Sequence, residues 1–135
     1  IQRGDEMPKT RNNHLDIAPG GASYSRVVRS GSLVFIAGCT ARGSQSQGKP
    51  LADQLRVTLQ RITPIVAAEG GSLGDITKIT TFVTSAADWR AIGQESQALF
   101  EEYFKGEFPA NSLIEISALV EPGLDIEIEA IAVID

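Results

Sequence analysis

The sequence is poor in the residues that build disulfides and metal centres. Its 135 residues include one cysteine, Cys39, and one histidine, His14. A lone cysteine cannot form an intrachain disulfide, which is typical of proteins in a reducing compartment such as the cytoplasm. A single histidine excludes both a histidine-rich metal centre and a two-histidine nuclease site within one chain. We therefore expect a cytoplasmic protein with no metal site.

Long apolar runs and an excess of positive charge are also lacking. No apolar stretch approaches the roughly 18 residues that span a bilayer, and the first residues, IQRGDEMPKTRNN, are too polar for a signal segment. The 12 basic and 17 acidic side chains give a net charge of −5, which disfavours non-specific binding to phosphate backbones. We expect neither a membrane nor a nucleic acid as partner, with Arg26, Arg29 and Arg42 left as a candidate local basic patch.

The apolar content is sufficient for one core. With 42% hydrophobic and 21% charged residues, the composition is that of an ordinary globular protein, and the length predicts a single domain over residues 1–135. Residues 1–13 have two interpretations: a flexible N-terminal arm, or an edge strand that starts near Arg11.

The hydrophobic pattern predicts five strands and two helices. The strands are expected at residues 24–29, 33–39, 75–84, 113–119 and 125–135. One helix starts near Pro50 and ends at Gly70-Gly71, with Pro64 expected to kink or shorten it. The other has Asp88 as its N-cap and ends at Gly106. The apolar faces are Leu51, Leu55, Leu59, Ile62 and Val66 in the first helix, and Trp89, Ile92, Ser96, Leu99, Phe100, Tyr103 and Phe104 in the second.

This order of elements predicts a two-layer α+β domain. One mixed sheet, six-stranded if the N-terminal strand forms, carries both helices on one face. The other face has no helix to cover it, so it must be polar or bind something. Self-association is the simplest way to cover such a face.

Three kinds of side chain are candidates for chemistry, each with a purely structural alternative. Glu127 and Glu129 share one face of the last strand, with Asp125 expected beside them, either as a solvated stripe or as a partly buried acid that activates water. Cys39 is either a buried small hydrophobe or a residue lining a pocket, since no base or cation is identifiable near it to make it a nucleophile. Tyr24 is either a core or edge aromatic, or a phenol lining a cleft.

Four segments, taken together and in order, resemble the Rid/YjgF family, that is, reactive intermediate deaminase A and its relatives. They are YSRVVRSGSLVFIAG (24–38), GGSLGDITKITTFVT (70–84), FPANS (108–112) and DIEIEAIAV (125–133). The resemblance runs from about residue 20 to residue 135. Its most specific part is F-P-A-x-S followed by I-E-I-E-A-I-A-V.

The resemblance implies a chorismate-mutase-like α+β fold assembled as a homotrimer, with clefts between neighbouring subunits. Characterised members hydrolyse enamines and imines, such as 2-aminoacrylate, to 2-oxo acids and ammonia, without a metal or an organic cofactor. By matching position, Glu127 holds the attacking water, while Tyr24 and Asn111 orient the substrate. The expected substrate-binding positions are Gly38, Cys39, Ser112, Leu113, Ala37 and Arg42.

Asn111 departs from the family pattern, in which F-P-A-R-S supplies an arginine that clamps the substrate carboxylate. An asparagine amide offers an N–H but no charge, so binding of a small carboxylate is expected to weaken by about 2–3 kcal/mol. Either Arg42 supplies the cation, or the substrate is a neutral amide, a lactam or a larger enamine. We therefore consider a hydrolytic deaminase first, then a non-catalytic binding or regulatory trimer. A ribonuclease comes last because of the net charge and the single His14.

Overall fold

The computed structural model describes residues 8–18 and 21–135. Within these residues the strands are β1 Lys9–Asn12, β2 Val27–Ser30, β3 Leu33–Cys39, β4 Ile76–Val83, β5 Ala110–Glu115 and β6 Ile126–Val133. The helices are α1 Leu51–Ala68, α2 Ala86–Ala91 and α3 Gly93–Phe104, and a 3₁₀ turn spans Leu73–Asp75. None of the helices in the described part of the chain has the length and hydropathy of a bilayer span.

The strands form one mixed sheet in the order β1-β2-β3-β6-β4-β5. Only the β4–β5 pair is parallel, and β6 lies at the centre between β3 and β4. This confirms the predicted α+β architecture. Residues 9–12 form the edge strand β1 and pair with β2, whereas residues 1–7 lie outside the described part.

Several predicted boundaries differ, each for a physical reason. Ser85 caps α2 in place of Asp88, because the Ser85 hydroxyl accepts a hydrogen bond from the Asp88 backbone N–H at 3.0 Å. The predicted second helix is divided at Ile92 into α2 and α3. Pro64 does not shorten α1, which continues to Ala68, because this proline lies on the exposed side of the helix.

Strand β5 begins at Ala110 and ends at Glu115, earlier than the predicted range 113–119. Its parallel register with β4 runs from Lys78 opposite Ala110 to Val83 opposite Glu115. Beyond Val83 there is no β4 backbone left to pair with. As an exposed edge strand, β5 also lacks the clear burial alternation on which the sequence prediction relied.

The core lies between the helices and one face of the sheet. The predicted apolar face of α1 is buried throughout, and it packs against side chains of the central strands. The fully buried members include Leu55, Leu59 and Ile62 of α1, Ile79 of β4, and Ile126 and Ile128 of β6. Burial of each such side chain stabilises the fold by about 1.5–3 kcal/mol before entropy is counted.

The opposite face of the sheet is apolar but exposed. Leu33, Phe35 and Val133 alternate with buried neighbours on β3 and β6, and Ile114 lies on the same side of β5. These side chains are 37% to 43% exposed. Monomeric proteins rarely expose large contiguous apolar patches, so this face is a candidate surface for the self-association expected from the sequence.

Arg29 holds three chain segments together. Its Nε donates to the Gly31 carbonyl at 2.9 Å, Nη1 to the Glu69 carbonyl at 2.7 Å, and Nη2 to the Ile134 carbonyl at 2.8 Å. These bonds join the β2–β3 turn, the end of α1 and the end of β6. All three guanidinium nitrogens therefore donate a hydrogen bond, an arrangement that a lysine ammonium cannot reproduce.

We predict that Arg29→Lys lowers the free energy of unfolding by about 2–3 kcal/mol, through lost hydrogen bonds from a charged group. Urea denaturation at one protein concentration measures this. Arg56→Lys is the matched control, because Arg56 makes an exposed ion pair with Glu102 and such pairs contribute little. A loss for Arg29→Lys no larger than for the control would contradict the prediction.

Candidate functional site

A small cavity of about 40 Å³ lies where β3 ends, and it brings together five residues that the sequence singled out. They are Tyr24, Gly38, Cys39, Arg42 and Glu127. These residues come from the segment before β2, the end of β3 and the loop after it, and the start of β6. The central position of β6 is what places Glu127 beside β3.

Glu127 lies directly against the backbone of Gly38. The β3–β6 register shifts between Ile36 and Cys39, so the chain bulges at this point. A Cβ added to Gly38 would lie 2.6 Å from the carboxyl carbon of Glu127 and 2.6 Å from its Oε2. A side chain at position 38 would therefore displace the carboxylate, which explains a glycine here.

The pKa of Glu127 is raised above its ordinary value of 4.5, first by burial and then by the nearby charge of Glu129; Arg26 opposes the shift. A carboxylate with a raised pKa is a stronger base than an exposed one. Glu127 and Glu129 share a sheet face as predicted, but Asp125 does not join them. Its carboxylate instead accepts hydrogen bonds from Gln54 Nε2 at 3.1 Å and Thr84 Oγ1 at 2.9 Å.

Arg26 forms the base of the cavity and was noted in the sequence only as part of a basic patch. The side chain is buried, with 3% exposure. Its Nη1 donates to the carbonyls of Ala37 and Gly38 at 2.9 and 2.8 Å, and lies 3.5 Å from Cys39 Sγ. Its guanidinium carbon is 5.6 Å from the ring centroid of Tyr24. Arg26 therefore fixes the bulge on which Glu127 rests.

Two further arginines line the same cavity. Arg61, from α1, donates through Nη1 to the Thr40 carbonyl at 2.6 Å, and sequence analysis did not identify it. Arg42 pairs through Nε with Glu121 at 2.6 Å near the surface. The expected patch of Arg26, Arg29 and Arg42 is thus wrong in one member, because Arg29 is held elsewhere by backbone carbonyls.

Cys39 is both a core residue and part of the cavity lining. It is 2% exposed, and burial raises the pKa of its thiol, with Arg26 and Arg61 opposing the shift. A raised thiol pKa disfavours the nucleophilic thiolate. This supports the two structural interpretations of Cys39 and argues against its use as a nucleophile.

Asn111 lies in a different cavity, of about 460 Å³, whose lining includes Phe100 and Phe108. Its Oδ1 accepts a hydrogen bond from Thr81 Oγ1 at 2.9 Å. The β4 neighbour of Asn111 is Ile79, which faces the helices, whereas the β4 neighbour of Glu127 is Phe82. Alternation along β4 therefore puts Asn111 and Glu127 on opposite faces of the sheet.

The remaining predicted positions also lie outside the small cavity. Ser112 is exposed on β5, where Lys78 Nζ donates to its Oγ at 3.3 Å, and Leu113 is 40% exposed beside it. Ala37 lines a third cavity, of about 320 Å³, together with Glu129. Within one chain, then, the predicted residues do not form a single site. One group shares the small cavity with Glu127, a second group, Asn111, Ser112 and Leu113, lies on β5, and Ala37 lines the third cavity. Among the described residues no cluster of acidic, histidine or cysteine side chains is arranged to hold a metal ion.

Comparisons with known proteins agree with this fold. The family model described as endoribonuclease L-PSP matches residues 17–134. The 2-iminobutanoate/2-iminopropanoate deaminase of Escherichia coli strain K12 is 34% identical over 126 residues, covering 92% of this chain and 94% of that protein. A RutC family protein of Pyrococcus horikoshii is 33% identical, covering 94% of this chain and 96% of its own.

A solved structure leads to the same conclusion. E. coli TdcF with bound serine matches with a TM-score of 0.79 at 31% sequence identity, covering 93% of this chain and 100% of that chain. The similarity in sequence and in fold thus extends over almost the whole length of both proteins. This chain therefore belongs to the YjgF/RidA family, whose model carries the description endoribonuclease L-PSP.

Proposed function

We propose that the protein is a hydrolytic deaminase of small imines or enamines, in which Glu127 holds and deprotonates the attacking water. The observation that carries this proposal is a half-buried carboxylate of raised pKa, seated on Gly38 inside a small cavity. Support also comes from the E. coli relative named as a deaminase of 2-iminobutanoate and 2-iminopropanoate, and from the TdcF structure that contains serine.

The reaction needs one water and no redox partner. The water oxygen attacks the carbon of the protonated imine while Glu127 accepts a water proton, which gives a carbinolamine. The amine nitrogen then takes up that proton and the C–N bond breaks. As ammonia leaves, the carbinolamine hydroxyl gives its proton to Glu127 and the C=O bond forms, and ammonia then takes this proton from Glu127. The products are a 2-oxo acid and ammonium. We assign to the Tyr24 phenol, which is 44% exposed and lines the same cavity, the role of orienting the substrate.

The proposal includes a homotrimer with sites between subunits. Glu127 and Asn111 lie on opposite sheet faces of one chain, so a site that uses both must draw them from two chains. The exposed apolar side chains Leu33, Phe35 and Val133 provide a surface for such contacts. In this arrangement Asn111 orients the substrate from the neighbouring subunit, together with Ser112 and the Leu113 backbone.

A non-catalytic small-molecule-binding trimer is the second candidate. It is favoured by the uncharged Asn111, whose amide oxygen is already occupied by Thr81. A ribonuclease would agree with the family description, but the net charge of −5 opposes RNA binding. The lone His14 is also engaged by Glu69, with Nε2 and Oε2 2.8 Å apart.

We predict that Glu127→Gln lowers kcat for 2-iminobutanoate at least about a hundredfold, since an amide cannot accept the proton. The imine is generated in place by an amino-acid oxidase, and its loss is followed by competition with semicarbazide. Glu129→Gln, on the same face of β6, is the matched control and retains turnover. Thermal stability of Glu127→Gln is not expected to fall at pH 8, because burial disfavours the carboxylate that the amide replaces. Wild-type turnover in Glu127→Gln would rule out its role, and absent turnover in the wild type would favour the binding protein.

The pH dependence follows from the raised pKa of Glu127. The base is active when ionised, so kcat/KM should fall as pH decreases through this pKa, at a higher pH than for an exposed glutamate. Glu129→Gln removes a negative charge that raises the pKa, so the acid limb of the profile should move to lower pH. A limb that stays in place or moves to higher pH in this variant would contradict the assignment.

The shared site is tested by mixing two inactive variants. We expect Glu127→Gln and Asn111→Ala homotrimers each to lose turnover. Co-assembly at equal amounts should restore about a quarter of the sites, because these join an intact Glu127 to an intact neighbouring Asn111. Light scattering checks that the mixed species is a trimer. Activity no greater than the sum of the separate variants would contradict a site shared between subunits.

A further inference from the structure

The small cavity beside Glu127 carries an excess of positive charge in an acidic protein. Arg26, Arg42 and Arg61 all contribute to its lining, against the single carboxylate of Glu127. Of the three, Arg42 is paired with Glu121, so the single carboxylate of Glu127 faces the two guanidiniums of Arg26 and Arg61. The local charge is therefore opposite in sign to the net charge of the whole chain, which is −5. A cavity of this kind attracts an anion.

Arg61 differs from the other two arginines in its surroundings. Arg42 is neutralised by Glu121, with 2.6 Å between Nε and Oε2, and Arg26 is fixed by the carbonyls of Ala37 and Gly38. Arg61 has a hydrogen bond from Nη1 to the Thr40 carbonyl. No carboxylate of the described residues forms an ion pair with it.

The environment of Arg61 disfavours its charge. Burial lowers its pKa; the nearby Cys39 opposes this shift, and the positive charge of Arg26 adds to it. A partly buried cation beside a second cation is costly unless an anion compensates it. The Thr40 carbonyl provides only a partial negative charge. A ligand carboxylate would supply the missing counter-charge and accept hydrogen bonds from the guanidinium fork.

We propose that Arg61 is the specificity-determining residue that binds the carboxylate of the substrate, from the same chain as Glu127. This inference rests on the proposed function. It assigns the role of carboxylate clamp to a residue of α1 rather than to position 111. A cavity of about 40 Å³ has room for roughly three water-sized groups. It holds the carboxylate and the reacting carbon, while the rest of the ligand lies outside.

Equilibrium binding tests the role of Arg61 separately from catalysis. The probe is 2-oxobutanoate, and butanone is the neutral comparison; both are titrated by calorimetry. We expect Arg61→Gln to weaken 2-oxobutanoate binding about ten- to a hundredfold, the effect of losing a hydrogen-bonded charge. Arg61→Lys keeps the positive charge but not the planar guanidinium, so its affinity for 2-oxobutanoate should lie between those of the wild type and Arg61→Gln. Arg56→Gln is the matched control, since Arg56 is on the same helix but pairs with Glu102, and it should bind as the wild type does.

Other variants separate this proposal from the proposed function. Glu127→Gln should still bind 2-oxobutanoate, so loss of turnover with retained binding concerns the base and not Arg61. Thermal melts show whether Arg61→Gln is folded. If it is unfolded, Arg61→Lys is used in its place, and wild-type affinity of Arg61→Lys for 2-oxobutanoate overturns the proposal. Three further results overturn it: unchanged affinity in a folded Arg61→Gln, equal affinity of the wild type for butanone, or a larger loss in Arg42→Gln or Asn111→Ala than in Arg61→Gln.

Discussion

The close packing of the Glu127 carboxylate on Gly38 is the contact on which the rest of the site depends. It exists because β6 is the central strand and β3 bulges where the two meet. A carboxylate on a central strand cannot reach bulk water easily, so burial raises its pKa. The same bulge turns the carbonyls of Ala37 and Gly38 toward Arg26. Glu127 and Arg26 are thus both positioned by one irregularity in the sheet.

Charge is unevenly distributed over this protein, so the net charge of the whole chain does not indicate the charge around the site. The surface is acidic, yet three guanidiniums gather around one small cavity. They arrive from the segment before β2, the loop after β3 and the middle of α1. Because the low-polarity interior strengthens electrostatic interactions, these few charges act more strongly on the cavity than distant surface charges do. The dispersed surface carboxylates are screened by solvent and salt.

The sheet also divides the predicted site into two groups. The face under the helices carries the core and the Asn111 cavity, whereas Glu127 lies on the face without helices. Glu127 and Asn111 are expected to line one cleft, but because they lie on opposite faces of the sheet they cannot meet within a single chain. The exposed apolar residues on the open face, such as Phe35 and Val133, are a candidate surface for self-association.

The sequence alone determined the type and order of the elements, because hydrophobic periodicity is local. The spacing of Leu51, Leu55 and Leu59 predicted a helical face that is buried, and the limits of β3 were predicted to the residue. The sequence also identified Tyr24, Gly38 and Glu127 as candidate site residues. Local patterns failed at Asp88, where Ser85 provides the cap, and at β5, whose register is set by β4.

Only the tertiary structure decided which candidates share a cavity. Arg61 lies off the predicted apolar face of α1, yet its long side chain reaches the Thr40 carbonyl just after the end of β3. Asp125, two residues before Glu127, turns instead to Gln54 and Thr84. Both outcomes depend on how strands and helices distant in sequence are placed against one another. Side-chain periodicity within a single element contains no information about these long-range contacts. The family motifs and the core pattern can be recognised without it.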